Sequence, residues 1–148
     1  MIIDLKAIRQ KGLCEKDFSF EFVLNDDLLT IPEAKFSKPC KAEVLCEVYP
    51  DKAYVSGKVS YGISAPCARC LAPASFDGEV EFDEEFRPVS YGGEKELSYA
   101  KDIIDLKPLL EQLIITNLPY SVFCKENCKG ICPVCGKNLN DGDCGCSR

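Results

Sequence analysis

The sequence predicts an α+β fold, with an antiparallel β-rich sheet or partial barrel, one C-terminal helix and a four-cysteine zinc-knuckle tail. Apolar and polar residues alternate through much of the 148-residue chain, a stretch of helical spacing follows, and six cysteines lie within residues 124–146. This length suits a single domain over residues 1–148. Within it we expect a β-rich core over 1–104, a helix over 105–119 and a cysteine-rich zinc-binding segment over 120–148 packed on them.

The first half of the chain has the alternation of β-strands. Residues 1–5 predict a short strand, and the polar residues 6–12 form a connection with room for a helical turn. In residues 18–24 every second position is phenylalanine or leucine, which is typical of a half-buried strand. The same alternation over 41–49 and 52–64, broken by a proline and an aspartate, predicts a long antiparallel hairpin.

The second strand of that hairpin leads into Cys67-Ala-Arg-Cys70. A further alternating run over residues 76–86 follows, with glutamates between the apolar positions. We expect the two flanking strands to pair and to hold both cysteines on a rigid loop between them. Residues 87–104 are acidic and polar, so they are interpreted as a solvated loop.

A helix is predicted over about 106–117. Asp105 takes the position of its N-cap, Pro108 lies in its first turn, and leucines and isoleucines follow at helical spacing. Its apolar face is expected to pack on the sheet rather than to bind a partner. Pro119 then ends the helix and leads the chain to the cysteines.

The cysteines are interpreted as metal ligands rather than disulfides. The N-terminus has no basic segment followed by an apolar one, and no apolar run could span a membrane, so we expect a cytoplasmic, reducing compartment in which the eleven cysteines stay free. The chain contains no histidine, which excludes mixed Cys/His zinc sites and His-activated nucleophiles. A site closed by thiolates indicates a structural role, so no enzyme and no small-molecule substrate are expected.

We expect about two zinc ions, held by two sets of four cysteines. The first set is Cys132, Cys135, Cys144 and Cys146, and the second is Cys67, Cys70, Cys124 and Cys128. In the first set, Cys132-Pro-Val-Cys135-Gly has the form of a zinc knuckle, in which glycine lets backbone amides turn towards the sulfurs. The second set would join the hairpin to the segment after the helix.

Other assignments stay open at this point. Cys124 and Cys128 could instead share an ion with Cys144 and Cys146. The remaining cysteines, interpreted as small buried hydrophobic residues, are Cys14, Cys40 and Cys46.

A thiol-redox or iron–sulfur protein is the alternative function. The run Cys128-Lys-Gly-Ile-Cys132-Pro-Val-Cys135 has the spacing of radical-SAM enzymes, but the chain is too short for their barrel. A dithiol at Cys67 and Cys70 is the redox version of this alternative, since Arg69 could lower a thiol pKa, although the βαβ context typical of such motifs is missing.

The charge is acidic and concentrated. The net charge is −6, and residues 77–105 carry ten acidic and three basic side chains, which argues against a bulk phosphate-binding surface. Contacts with RNA phosphate or an acidic protein surface are expected at the few basic residues beside the cysteines. These are Arg69, Lys125, Lys129 and Lys137.

The cysteine motifs resemble those of the bacterial YceD family, the large ribosomal RNA subunit accumulation proteins. The matching segments are Cys67-Ala-Arg-Cys70-Leu, Asp105-Leu, Leu118-Pro before Cys124, Cys128-Lys-Gly-Ile-Cys132-Pro-Val-Cys135-Gly-Lys-Asn-Leu-Asn, and Cys144-Gly-Cys146. The resemblance implies a role in synthesis, processing or stability of large-subunit ribosomal RNA, with no established enzymatic activity. The partners it implies are a large-subunit precursor or ribosomal protein, with ribosomal RNA itself as a further candidate.

Overall fold

The computed structural model describes residues 1–89 and 97–147, which form two small helices and seven strands. In chain order the elements are β1 (Ile2–Asp4), α1 (Leu5–Gln10), β2 (Glu15–Phe22), a 3-10 turn (Asp26–Leu28), β3 (Lys35–Val48), β4 (Ala53–Pro66), β5 (Pro73–Pro88), β6 (Ser98–Tyr99), β7 (Ile103–Asp105) and α2 (Lys107–Thr116). The fold is β-rich with one main C-terminal helix, as predicted.

The strands form two sheets. The larger one has the order β2-β3-β4-β5-β6, with β2 to β5 antiparallel and β6 parallel to β5; the smaller one pairs β1 with β7. Since β2 and β6 are the two edges of the larger sheet, the structure does not confirm a partial barrel in the residues it describes.

The predicted hairpin is the centre of the larger sheet. Strands β3 and β4 pair antiparallel, and the turn closes with a hydrogen bond from the Tyr49 N–H to the Lys52 carbonyl, 2.9 Å long. Alternation divides the sheet into two faces. The buried face carries Val44, Val55 and Val59, while polar side chains point to solvent on the other face.

Helix α2 packs on the buried face. Its Leu110 and Ile114 are fully buried, and the Tyr61 hydroxyl of β4 donates a 2.8 Å hydrogen bond to the Asn117 carbonyl at the helix end. A side chain at Gly78, opposite Tyr61 on β5, would place its Cβ 2.3 Å from the tyrosine ring. The tyrosine thus needs a glycine beside it to reach the helix.

The start of the C-terminal helix differs from the prediction. Asp105 is not the N-cap: it is the last residue of β7, paired with Ile2, and Leu106 occupies the cap position before Lys107. The Asp105 carboxylate still accepts a 3.0 Å hydrogen bond from the Lys107 N–H. The Asp105 side chain therefore does accept a hydrogen bond from the first turn of the helix, but strand β7 extends through Asp105. No helix in these described ranges has the length and apolarity to cross a membrane.

The interpretation of residues 87–104 as one loop is partly wrong. Strand β6 and the start of β7 lie within that range, where Tyr99 and Ile104 are buried. Two tightly turned residues, Lys101 and Asp102, join the strands with φ of 55° and 59°. Burial of these apolar side chains outweighs the local charge that suggested a loop. Residues 90–96 of the predicted loop lie outside the described residues.

Candidate metal centres

Eight cysteines form two clusters, in each of which all four sulfurs lie within 4.8 Å of one another. The inner cluster is Cys67, Cys70, Cys124 and Cys128, and the outer cluster is Cys132, Cys135, Cys144 and Cys146. The structure therefore brings together the same two sets of four cysteines that were predicted from the spacing. It does not place Cys124 and Cys128 beside Cys144 and Cys146.

The inner cluster joins two distant parts of the chain. The loop between β4 and β5 supplies Cys67 and Cys70, and the segment after α2 supplies Cys124 and Cys128. The Sγ atoms of Cys67 and Cys128 are 3.8 Å apart, and those of Cys70 and Cys124 are 3.5 Å apart. All but Cys124 are buried, so this cluster is largely closed to solvent.

The outer cluster is local and more open. Only Cys132 is buried among its four cysteines; Cys135 is exposed, and Cys144 and Cys146 are half-buried. Its first two cysteines, Cys132 and Cys135, lie on a turn closed by an antiparallel bridge between Ile131 and Asn138. The cluster thus forms from one continuous stretch of chain.

Each cluster contains a knuckle, which is the turn of residues 67–70 in the inner cluster and of residues 132–135 in the outer one. The two turns have the same hydrogen bonds. In the inner one the Arg69 N–H donates to the Cys67 sulfur over 3.5 Å, and in the outer one the Val134 N–H donates to the Cys132 sulfur over 3.4 Å. Backbone amides directed at a sulfur stabilise its thiolate form. Each knuckle therefore presents its first cysteine as a ready metal ligand.

One residue after each knuckle has a left-handed backbone. The Leu71 N–H donates to the Cys67 carbonyl and the Gly136 N–H to the Cys132 carbonyl, both over 2.9 Å, with φ of 61° at Leu71 and 73° at Gly136. Glycine adopts this conformation freely, whereas another residue pays about 1–2 kcal/mol. The two knuckles therefore have equivalent hydrogen bonds, but the left-handed position is a leucine in the inner knuckle and a glycine in the outer one.

Further contacts tie the inner cluster to its surroundings. Asn140 donates from its side chain to the Cys128 sulfur over 3.4 Å, and its oxygen accepts the Lys129 N–H over 3.0 Å. The Arg69 guanidinium donates to the Cys128 carbonyl over 3.2 Å and lies over the Phe123 ring, 4.9 Å from its centroid. Sequence reasoning missed Asn140 and Phe123, because nothing in the spacing showed that they would meet the clusters.

The thiol pKa values are spread apart within each cluster. Burial raises the pKa of Cys67, but hydrogen bonds from backbone N–H groups together lower it to about 6. Backbone N–H groups likewise lower the pKa of Cys132 to about 6. Hydrogen bonding with Cys70 raises the pKa of Cys124 to about 12, and the neighbouring thiols raise that of Cys146 to about 11. The negative charge of one thiolate thus disfavours deprotonation of the neighbouring thiols. A bound cation would remove this repulsion.

The donor set fits a single metal ion in each cluster. Four thiolates around an ion with metal–sulfur bonds of about 2.3 Å lie roughly 3.8 Å apart in a tetrahedron. The two sulfur pairs of the inner cluster are at 3.8 Å and 3.5 Å, and all eleven cysteines are free. Each cluster could therefore hold one ion through the residues that form it.

The predicted partner-binding residues all lie beside the clusters and are exposed. Arg69 is engaged by its own chain, as described above, and the Lys137 ammonium donates to the Asp143 carbonyl over 3.1 Å. Lys125 and Lys129 form no ion pair with another residue of the described ranges. These two lysines leave the most charge available for a partner.

The three single cysteines do not share one environment. Cys40 and Cys46 are fully buried, as predicted, and burial raises the pKa of each to about 11. Cys14 is exposed, so its predicted burial is wrong. It lies between α1 and β2, where its backbone carbonyl accepts a hydrogen bond from the Val48 N–H over 2.7 Å. Cys14 thus contacts the sheet through its backbone.

Comparison with known proteins identifies the family. The family model described as "Large ribosomal RNA subunit accumulation protein YceD" matches residues 55–148. "Uncharacterized protein Mb2951c" of Mycobacterium bovis and "Uncharacterized protein Rv2926c" of Mycobacterium tuberculosis are each 36% identical over 91 residues, covering 57% of this chain and 44% of the relative. The chain therefore spans less than half the length of these relatives, and no solved structure matches it. Since the family model covers more than half of the chain, including both cysteine clusters, the protein belongs to the YceD family.

Proposed function

We propose that this protein is a non-enzymatic factor in large ribosomal subunit biogenesis, held in shape by two zinc ions. The family description names accumulation of the large ribosomal RNA. The observation that carries the metal part is the gathering of eight cysteine sulfurs into two groups, each within 4.8 Å. The proposed role is in synthesis, processing or stability of that RNA, in the cytoplasm, where the cysteines stay reduced.

Zinc suits the clusters better than an iron–sulfur cluster does. In a four-iron cluster each thiolate binds a different iron, so the sulfurs lie further apart than around one ion. The sulfur pairs of the inner cluster, at 3.8 Å and 3.5 Å, support a single tetrahedral ion. Zinc bound to four thiolates has no open position for water or substrate, which supports a structural role.

The metal would supply stability that burial cannot. The buried apolar residues of the segment 120–147 are Val122, Cys128, Cys132 and Leu139. Two of these four are themselves candidate ligands. So small a core cannot hold a segment of this length, and metal binding is the remaining source of folding free energy.

The partner is proposed to be a large-subunit precursor or one of its proteins, with ribosomal RNA as a minor contact. Exposed lysines beside the clusters lie on turns that the metals would hold rigid. A contact made there would be electrostatic and weakened by salt. The net charge of −6 supports weak binding to naked RNA.

Two measurements test the proposal. Elemental analysis of protein purified without chelator should find about two zinc ions per chain; iron, or less than one zinc, would overturn the metal assignment. Gradient sedimentation of growing-cell lysate at low salt should place the tagged protein with large-subunit precursors. Its absence from every large-subunit fraction would overturn the proposed role.

Charge reversal locates the contact. The test variant carries Lys125→Glu, Lys129→Glu and Lys137→Glu, and the matched control carries Lys6→Glu, Lys11→Glu and Lys101→Glu. All six lysines are exposed, but those of the control lie outside both clusters. Co-sedimentation should be lost in the test variant and kept in the control. Equal behaviour of the two variants would show that the lysines beside the clusters make no specific contact.

A further inference from the structure

The turn of the inner knuckle uses a left-handed residue at position 71, but it does not need that residue to be an exposed leucine. Leu71 occupies the left-handed position of the inner knuckle, where the equivalent residue of the outer knuckle is Gly136. Its side chain is 66% exposed, so contacts within the chain do little to offset the strain. A glycine would close the same turn at lower cost. The leucine is therefore better explained by a contact with something outside the chain.

An apolar pocket lies beside this leucine. Leu71, Pro66, Pro73 and Ala74 line it, with Glu33 also at its edge. The Glu33 side chain is exposed and forms no ion pair within the described ranges. The pocket therefore offers a place for an apolar side chain, next to a carboxylate that would favour a basic neighbour.

The solvent face of the larger sheet begins at this pocket and is acidic. Every second residue of β5 from residue 77 to 85 points to this face and is a carboxylate, and β2 and β3 add further ones. Some are paired with lysines, as in the bridges from Lys58 to Glu43 and Glu79. The pairing is incomplete, so the face keeps a negative potential.

The middle of the face is a broad depression in which carboxylates are left without partners. Asp17, Glu43, Glu81 and Asp83 line it around Lys58. Asp17, Glu81 and Asp83 are exposed and form no ion pair with any residue in the described parts of the chain. They would attract the cationic groups of a partner rather than phosphate.

The spacing between pocket and depression fits an extended polypeptide. Along β5, Pro73 lines the pocket, and Glu81 and Asp83 line the depression; all three are odd-numbered positions of one strand and so share the solvent face. At about 3.3 Å per residue this separation is roughly 26–33 Å, which an extended segment of eight to ten residues would span. Helix α2 packs on the opposite face, so it does not cover this surface.

We propose that this face docks an extended, lysine- and arginine-rich protein segment whose one apolar side chain enters the pocket beside Leu71. The charge complementarity favours a basic protein over RNA, because the unpaired carboxylates would repel phosphate. The inference rests on the proposed function, since it gives the chemical class of the large-subunit partner. It adds a second contact, on the sheet, to the one proposed at the lysines beside the clusters.

Binding of designed peptides tests both parts of the surface. The probes are two labelled dodecapeptides of alternating lysine and arginine, one with a single leucine near its end and one without, measured by fluorescence anisotropy in 50 mM and 300 mM salt. Glu81→Lys with Asp83→Lys should weaken both peptides about tenfold at low salt. The matched control, Glu111→Lys with Glu126→Lys, should change affinity less than twofold.

The leucine peptide tests the pocket. Leu71→Gly should weaken only that peptide, by about three- to tenfold, and should raise the melting temperature by about 2–4 °C by relieving the backbone strain. Val134→Ala is the control, since Val134 is also 66% exposed but lies on the outer knuckle. No binding at 50 mM salt, or equal losses in the test and control variants, would overturn the proposal.

Sedimentation separates this inference from the proposed function. If wild-type protein fails to sediment with large-subunit precursors, the proposed function is wrong, whatever the peptides show. If the wild type does so and Glu81→Lys with Asp83→Lys sediments equally well, the docking surface is wrong and the function stands. If naked RNA binds the protein better than the basic peptides do, the proposed class of partner is wrong.

Discussion

Replacing Cys67 with serine should remove one metal ion and leave the other in place. The sulfur of Cys67 belongs to the inner cluster, and serine cannot replace a thiolate as a zinc ligand of similar strength. The outer cluster takes all of its sulfurs from residues 132–146 and so does not need Cys67. The variant should therefore contain one zinc ion per chain, half the number expected for the wild type.

The loss of stability follows from the loop that the inner metal closes. Cys67 and Cys128 are 61 residues apart, and Cys70 and Cys124 are 54 residues apart. A cross-link that closes a loop of this size removes about 4 kcal/mol of chain entropy from the unfolded state. We expect the free energy of unfolding of the variant to fall by about this amount, with residues 124–128 losing protection.

Three measurements check this expectation. Native mass spectrometry gives the zinc content, urea unfolding gives the change in stability, and hydrogen exchange shows which segment has loosened. Cys14→Ser is the control, because Cys14 is exposed and belongs to neither cluster; its stability should change by less than about 0.5 kcal/mol. Loss of both ions from the Cys67 variant, or of neither, would refute the division into an inner and an outer site.

Four further outcomes are expected. Chelation at pH 7 should release the segment 120–147 before the sheet unfolds, which hydrogen exchange would show; protection that persists without metal would contradict it. At pH 8, iodoacetamide should modify exposed Cys14 but not Cys40 or Cys46, whose pKa values burial raises to about 11; peptide mass spectrometry measures this. Because the unfolded chain loses those two protons from about pH 9 upwards and the folded protein keeps them, stability should fall between pH 9 and 11. Tyr61→Phe should lower the free energy of unfolding by about 1 kcal/mol in urea titration, since it removes the hydrogen bond to helix α2.

The central hairpin could be predicted because its physics is local. Alternating residues of β3 and β4 bury one face, and a two-fold period leaves few other ways to do so. The outer cluster could be predicted for the same reason, since its two cysteine pairs are separated by a short, turn-rich stretch. In both cases the interacting residues are close in sequence.

The remaining features depend on contacts between distant residues. At the inner cluster the Ala68 N–H donates to the Val122 carbonyl over 2.9 Å, so the hairpin loop lies against the segment after α2. Strand β6 pairs with the far end of β5 through two residues only, too few for a sequence pattern. The exposure of Cys14 and the left-handed backbone of Leu71 likewise follow from chain geometry that residue type does not reveal.

The two clusters are joined through a short link with few contacts. Gly130 links them with φ of 76°, and a Cβ there would lie 3.2 Å from the Arg69 carbonyl, so the link passes close over the inner knuckle. In return the outer loop gives the inner cluster one contact, from Asn140 to the Cys128 sulfur. Loss of the outer ion should therefore leave Leu71 and the acidic face in place. Binding that disappears with that ion alone would belong to the lysines beside the outer cluster, whereas binding that survives it would belong to the sheet.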